Sequence, residues 1–453
     1  MQSQKRSRKP HVVVLVLGDI GRSPRMQNQS VSLASFLYDK QYPHHYNVTL
    51  IGYKGEQCIP SVTHQSNLRI LPISPILSNY PRSLFFLTAP LKVLLQIFQL
   101  FYILLVCTGT TDAILVQNPP TIPTFPVVWL SCRLKGAKFL IDWHNFGYTI
   151  LALSIGTTHI LVRVAEVMER VFGRKADANF CVTNAMKTFL KDTWGIQAVV
   201  LHDKPPESFG PTPINLRHEL FQSLSQQLKH CNDLVPWDRH PDTLELTLLT
   251  RKWRENNVIH FDLRADRPAV LISSTSWTSD EDFGLLLDAL VLLDHHMTSS
   301  LPKLLVLVTG KGPEKAFYLE KIAQLRLGRI RIATLWMEAE AYPLLLGSAD
   351  IGICLHTSSS GLDLPMKIVD MFGCRVPVCA VAFASLNELV LPSINGMIFS
   401  DHEELASQLV KLLENFPITA KLDEMRGELA SITRWKQHWE DIAGPLIVSL
   451  IQS

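Results

Sequence analysis

The 453-residue sequence is poor in charge and keeps what it has in balance: 43 Lys and Arg stand against 41 Asp and Glu, a net charge of +2. No whole-chain field is available to gather a polyanion, so no nucleic-acid partner is expected. The eight cysteines include no CxxC pair, which excludes a zinc ribbon or a disulfide framework and fits a reducing compartment. No secretory leader is expected. The first apolar run, Val12–Leu17, ends in Gly18-Asp19 with no small-residue cleavage site behind it, so it reads as a buried strand. Charged residues make up only 19% of the chain while apolar residues make up 47%. That excludes a disordered chain and leaves a surplus of apolar surface that needs a location. The length suits two domains or three.

Much of the surplus sits in Ser83–Cys107, SLFFLTAPLKVLLQIFQLFYILLVC. The segment is long enough to cross a bilayer. Its polar residues Thr88, Lys92, Gln96 and Gln99 fall on one narrow helical stripe, with Pro90 near the start, where a first turn tolerates it. Two arrangements fit: a helix lying in a membrane surface with the stripe toward water or protein, or a buried helix with one solvated edge. A strand pattern follows at once, which speaks against a span.

The first two hundred residues alternate strand and helix patterns, as a parallel sheet covered on both faces does. Strands are expected at Val12–Leu17, Val48–Gly52, Ile70–Leu71, Ala113–Gln117, Phe139–Asp142, Ala178–Val182 and Ala198–Leu201. A second alternating series begins at Pro268. Residues 205–267 break the rhythm and read as a linker with inserted helices. The expected division is therefore 1–204, 205–267 and 268–453, with a last helix over Trp435–Gln452 that crosses back. Ligands in doubly wound α/β folds lie at the carboxyl ends of the strands, so the loops there carry the chemistry.

Five such loops stand out. Gly18-Asp-Ile-Gly-Arg-Ser-Pro-Arg pairs the tight-turn glycines Gly18 and Gly21 with Arg22 and Arg25 at a helix start, where Ser23 can cap and free N–H groups favour an anion. Ile141-Asp-Trp-His-Asn places Asp142, His144 and Asn145 at a strand end, and His is the side chain best suited to base chemistry near neutrality. Ser273–Phe283 offers Ser276 and Thr278 to a phosphate, with Asp280 or Thr278 as helix cap. Thr309-Gly310-Lys311-Gly312-Pro313 lets a ligand approach the backbone beside a cation. His356–Asp370 is a serine-rich turn with Ser360 and Gly361, and it leads into a helix that carries Lys367 and Asp370 on one face. A cation and a carboxylate so placed can take a diphosphate and a ribose diol. Each loop taken singly also fits an ordinary capped helix with solvated charges, and Lys367 with Asp370 also fits a surface ion pair.

Taken together the loops resemble a family. VLGDIGRSPRMQ, LVQNPPTIPT, IDWHNFGY, CVTNAMK, SSTSWTSDEDF, TGKGP and YPLLLGSADIGICLHTSSSGLDLPMKIVDMFG resemble the β-1,4-mannosyltransferases that act on chitobiosyl-diphosphodolichol, over nearly the whole chain. DWHNFGYTILALSIG is most similar to plant members, some described as UDP-glycosyltransferases. The resemblance implies an α/β fold of GT-B type with two doubly wound parallel-sheet domains facing a cleft. It implies an inverting hexosyltransferase that needs neither metal nor cofactor and works on the cytosolic face of the endoplasmic reticulum membrane. The implied donor is GDP-mannose, alternatively a UDP-sugar, and the implied acceptor is a dolichol-linked diphosphate oligosaccharide. Other early glycosyltransferases are implied partners, and a non-catalytic scaffold for them is the rival from another class. On this reading Ser276, Thr278, Gly310, Lys311, Gly312, Ser360, Gly361, Lys367 and Asp370 hold the donor. Gly18, Gly21, Arg22, Arg25 and Asn145 meet the acceptor diphosphate. The base is His144, Asp142 or Asp19, with His144 preferred. The chain departs from related transferases at Leu362, where a first glutamate eight residues before Asp370 is missing. It departs from animal members at its start, which has only the basic run KRSRK where they carry an apolar anchor.

Overall fold

A computed structural model describes residues 9–36, 45–76, 85–237, 242–278, 280–296 and 300–452, with backbone only over 85–89. The basic run before the first strand, apart from Lys9, and the side chain of Thr88 lie outside the described residues. The chain forms two compact units, Met1–Asp203 with Trp435–Ser453, and Lys204–Arg434.

The first unit is a seven-stranded sheet in the order β3-β2-β1-β4-β5-β6-β7, every pair parallel. Its strands are β1 (His11–Asp19), β2 (Asn47–Tyr53), β3 (Leu68–Ile73), β4 (Ala113–Asn118), β5 (Lys138–Trp143), β6 (Ala178–Cys181) and β7 (Val199–Val200). Helices cover both faces, so the central strands are apolar without alternation, and Val12–Leu17 are all buried. Each fully buried Val or Leu there contributes about 1.5–3 kcal/mol, so a carboxylate at Val14 would undo the sheet's centre. The helices are α1 (Pro24–Ser35), α2 (Pro60–Thr63), α3 (Phe85–Tyr102), α4 (Thr124–Lys135), α5 (Gly147–Ile155), α6 (Ile160–Gly173) and α7 (Asn184–Trp194).

Helix α3 continues into a π-helical turn, Ile103–Cys107, and is turned inside out. Gln96 is buried against the Tyr53 hydroxyl, and the Gln99 side-chain amide donates to the Ser74 carbonyl at 3.2 Å. Leu91, Leu94, Leu95, Phe98, Tyr102 and Val106 face outward, 38–64% exposed. Gln96 and Gln99 of the polar stripe therefore pack on protein, while Lys92 is exposed. Pro90 lies inside the helix, not in its first turn as expected.

The second unit holds a six-stranded parallel sheet in the order β13-β12-β11-β14-β15-β16. Before it come α8 (Ile214–Ser223), a 3₁₀ turn at Lys229–Leu234 and three antiparallel strands, β8 (Thr243–Leu246), β9 (Thr250–Glu255) and β10 (Val258–Leu263). The span 205–267 thus carries strands besides the helices expected there. They follow as β11 (Ala269–Ser274), α9 (Phe283–His296), β12 (Leu304–Thr309), α10 (Lys315–Gln324), β13 (Ile330–Leu335), α11 (Tyr342–Leu346), β14 (Ile351–Cys354), α12 (Met366–Gly373), β15 (Val378–Val381), β16 (Gly396–Phe399), α13 (His402–Leu413) and α14 (Ala420–Leu429).

The last helix, α15 (Trp435–Gln452), belongs to the first unit. Trp435, Trp439, Ala443 and Ile447 recur every four residues and are buried with the sheet core. Both buried indole N–H groups find partners on α1: Trp435 donates to Ser32 Oγ at 2.9 Å and Trp439 to Gln29 Oε1 at 2.6 Å. Strand order reverses between β1 and β4 in one sheet and between β11 and β14 in the other, and the five loops lie at the carboxyl ends near those points.

Candidate active site

In the first unit, two expected site residues turn out to be architecture. Arg25 is 2% exposed and clasps Asp142 in a bidentate pair at 2.7 and 2.8 Å, with a third bond at 2.7 Å to Asp203. Gln29 also donates to Asp142 at 3.0 Å. Burial works against the guanidinium's charge, but Asp142 and Asp203 outweigh it and raise its pKa. Arg25 therefore cannot reach a diphosphate, and Asp142, which is wholly buried, cannot serve as a base.

Asp19 is also engaged. It accepts from the backbone N–H of Gly21 at 2.9 Å and of Glu56 at 3.0 Å, which ties two loops together. Gly18 precedes it at the end of β1, and Gly21 packs under Glu56, where a Cβ would lie 2.3 Å from the Glu56 carbonyl oxygen. Ser23 does not cap α1 through its side chain; its hydroxyl donates to the Asp19 carbonyl at 2.8 Å. Arg22 stays open, its side chain 65% exposed beside Glu56.

His144 is part-exposed, and its Nε2 lies 3.8 Å from Asp203 Oδ2. Asn145 turns its amide oxygen to the Phe146 N–H at 2.7 Å, and its carbonyl accepts from the Asn118 side chain. Under this loop sits Glu169, which sequence reading did not single out. Its Oε1 accepts from Thr121 Oγ1 at 2.7 Å, Asn118 Nδ2 at 3.1 Å and the Gly147 N–H at 2.7 Å. Burial nevertheless pushes it up to about 7. Its one signal in the sequence is a carboxylate amid the buried positions Val162, Ala165 and Phe172 of α6.

The second unit builds a cluster that reaches solvent. Glu281 is 2% exposed and accepts from Thr275 Oγ1 at 2.5 Å and the Ser276 N–H at 2.6 Å. Lys367, from the first turn of α12, pairs with the other oxygen of Glu281 and lies 3.4 Å from Ser276 Oγ. The start of α12 has no side-chain cap, so its N–H groups and the Lys367 ammonium form a positive end of the kind anions occupy. Asp370 shares the half-buried face of α12 with Lys367. Burial first, then the charge of Asp370, raises the pKa of Tyr342.

His356 bridges two carboxylates, with Nδ1 3.4 Å from Asp280 and Nε2 3.8 Å from Asp363. Burial opposes its charged form, yet the bonds to Asp280 and Asp363 raise it to about 9. The His356 bond in turn holds Asp280 well below the usual carboxylate range. Asp280 is thereby drawn away from the capping role expected of it, and α9 begins later, at Phe283. Thr278 bonds Asp280 and also does not cap α9. Asp363 does not replace the missing glutamate: it is buried under Ser358, Ser360 and His356. Gly361 adopts φ +71° in that turn, a conformation that favours glycine.

Donors of Asp280, Glu281 and His356 lie within 4.8 Å of one another, but Lys367 and the His356 bridge already meet their charge. Gly310 and Gly312 are needed for loop packing, since a Cβ on either would lie 1.7 Å from the carbonyls of Thr275 and Ser276. Lys311 lies over the Trp336 ring at 3.5 Å, apart from the Lys367 contacts.

Residues 267–415 match the family model for glycosyl transferases group 1. The chain is 41% identical to the UDP-glycosyltransferase TURAN of Arabidopsis thaliana, over 97% of each chain. It is 43% identical to the chitobiosyldiphosphodolichol β-mannosyltransferase of Mus musculus over 98% of this chain and 91% of that one. The Homo sapiens protein of the same name is also 43% identical, over 97% and 92%. Among solved structures, sucrose-phosphate synthase from Thermosynechococcus elongatus matches with a TM-score of 0.63 at 14% identity, over 98% of this chain and all of that one. Anabaena HepE in complex with UDP and glucose matches at 0.60 and 16%, over 97% and 99%. The two parallel sheets have the GT-B fold, the enzyme is a hexosyltransferase, and by near-full-length identity the chain belongs to the chitobiosyldiphosphodolichol β-mannosyltransferase family.

Proposed function

We propose that this enzyme moves mannose from GDP-mannose to the terminal GlcNAc of chitobiosyl-diphosphodolichol, forming a β-1,4 bond in N-glycan precursor synthesis. The observation that carries the reading is the 43% identity, over nearly the whole chain, to proteins named for that acceptor. The acceptor hydroxyl attacks the anomeric carbon as the bond to the GDP oxygen breaks, and configuration inverts. Lys367 and the free N–H groups of α12 take up charge on the departing diphosphate, Asp370 holds ribose hydroxyls, and Ser276, Ser360 and Gly361 line the approach. With Asp142 locked to Arg25 and Asp19 held by two amides, His144 is the base, and Asp203 supports the imidazolium it becomes. Arg22 meets the acceptor diphosphate. The work is done on the cytosolic face of the endoplasmic reticulum membrane, where α3, with an apolar face outward and Gln96 and Gln99 packed on protein, lies in the bilayer surface.

Transfer of label from GDP-mannose to a synthetic chitobiosyl-diphospholipid, with and without chelator, tests the reading. His144→Ala should lower turnover about 10²–10⁴-fold, and near-normal turnover would remove the base assignment. The Arabidopsis relative's name favours a second reading, a UDP-sugar donor; competition between GDP-mannose and UDP-sugars separates the two.

A further inference from the structure

Helix α5, Gly147–Ile155, is apolar almost throughout, and none of its residues is buried. Ile150, Leu153 and Ile155 are 40%, 69% and 38% exposed. A nine-residue helix with no fully buried residue gains little from folding in water. Helix α6 explains its setting. At 100° per residue its side chains sort into three arcs. Val162, Ala165, Glu169 and Phe172 are buried, while Ile160, Leu161, Val164, Val167 and Val171 form an exposed apolar stripe. Arg163 and Arg170 run along the far edge of that stripe. Ordinary amphipathic helices turn a polar face outward; α6 inserts an apolar stripe between its core face and its cations.

The four apolar helices of this unit are contiguous, since α5 packs on α6, α6 on α4 and α4 on α3. Leu130 and Leu134 of α4 add exposed apolar surface, with Leu134 at 65%. So large an exposed apolar face marks a binding surface. Its rim is basic: Arg133, Arg163, Arg174 and Lys175 are exposed. Among the described residues of α4 and α6 the only carboxylate that reaches solvent is Glu166. Long cationic side chains around an apolar face suit phosphate headgroups around acyl chains.

We propose that α5 and the outer stripe of α6 seat, together with α3, in the headgroup–acyl boundary of an anionic phospholipid leaflet, as one monotopic docking face. The proposal rests on the reading that the chain works at a membrane, and widens the attachment from one helix to a platform. It gives the platform a catalytic consequence. Glu169, on the core side of α6, accepts from the Gly147 N–H that opens α5, and His144 lies three residues before Gly147. Docking therefore holds the His144 loop at headgroup depth, where the diphosphate and sugars of a polyprenyl acceptor emerge from the bilayer.

Sedimentation of the full-length protein with phosphatidylcholine vesicles, with and without phosphatidylserine, tests this. The variant Leu153→Glu/Ile160→Glu/Val164→Glu changes only exposed positions, so circular dichroism and thermal melting should match the parent. It should lose most vesicle binding although α3 is intact. Arg163→Gln/Arg170→Gln should lose at least about tenfold on phosphatidylserine-containing vesicles and little on phosphatidylcholine alone. If the triple variant binds as the parent does while Leu94→Glu/Phe98→Glu is released, α3 alone attaches the protein and the platform is overturned. If neither variant is released, the membrane reading fails as well. If the triple variant instead turns a dimer into a monomer in lipid-free light scattering with vesicle binding unchanged, the face joins two copies and the proposal is wrong.

Discussion

The two units each gather cations and carboxylates at the carboxyl ends of their first strands, and they use them for opposite ends. Around Arg25 the charges are closed off: 2% exposure, a two-pronged grip on Asp142 and a third bond to Asp203. Around Lys367 they are left half open: its side chain is 24% exposed, its partner Glu281 is buried, and an uncapped helix end lies beside it. Residue types do not distinguish the clusters, whereas access to water does. A buried pair repays its desolvation only when its hydrogen bonds are complete, and losing one partner is costly. A half-open pair has capacity left for an incoming anion.

Breaking the closed cluster should give the largest effect. Arg25→Ala leaves Asp142 and Asp203 buried without their cation, a loss of about 3–5 kcal/mol from a total that is about 5–15 kcal/mol in typical domains. Chemical denaturation would register it, and a change under 1 kcal/mol would show that the clasp is ornamental. In the open cluster the loss should fall on catalysis. Lys367→Gln keeps a donor for Glu281 and removes the charge, so turnover should drop about 10²–10³-fold while unfolding free energy shifts by only about 1–2 kcal/mol. A variant with full turnover would strip Lys367 of its role.

The His356 bridge sharpens the contrast through pH. Its pKa is raised to about 9 in the folded chain, above the ordinary value near 6.5. Its contribution is therefore complete below about pH 6.5 and is lost as pH rises through about 9, on the order of 3 kcal/mol. The depressed Asp280 is the other half of the same pair and adds nothing further. Unfolding free energies of parent and His356→Gln measured across this range should converge at the alkaline end. Parallel curves would mean that the pair is already broken in solution.

Much of the fold was legible because parallel strands buried on both faces read as unbroken apolar runs; β4 was expected at Ala113–Gln117 and lies at Ala113–Asn118. Elements lacking a core signature were missed. Strands β8–β10 carry sequences such as TRKWRE whose side chains are largely exposed, so no apolar period marks them. Helix α5 is short, apolar almost throughout and has no fully buried residue, so no stripe betrays it. Within the sites, loops were legible and pairings were not. Arg25 and Asp142 stand 117 residues apart, and only the sheet brings them together. Local pattern put Arg25 on the acceptor diphosphate, as a cation at a helix start, and Asp142 among the candidate bases, as a carboxylate at a strand end. Glycine carried a similar ambiguity: at Gly310 and Gly312 the backbone carbonyls of Thr275 and Ser276 already require the missing Cβ.

The smallest expected effect tests the comparison within a single loop. Arg22 and Arg25 are three residues apart, and both looked like phosphate ligands. Arg22 is 65% exposed and pairs with Glu56, itself 48% exposed, an arrangement worth about 0–1 kcal/mol. Arg22→Ala should therefore melt within a degree or two of the parent. If Arg22 meets the acceptor diphosphate, losing that charge-assisted bond should raise the acceptor KM about tenfold and leave the donor KM unchanged. Arg25→Lys, in the same loop, should do the reverse: a point charge cannot reproduce the fork on Asp142, so stability falls and the acceptor KM of the folded fraction stays put. An acceptor KM unmoved by Arg22→Ala would place the diphosphate on other groups and leave the exposed arginine with neither the binding role nor the structural weight of its buried neighbour.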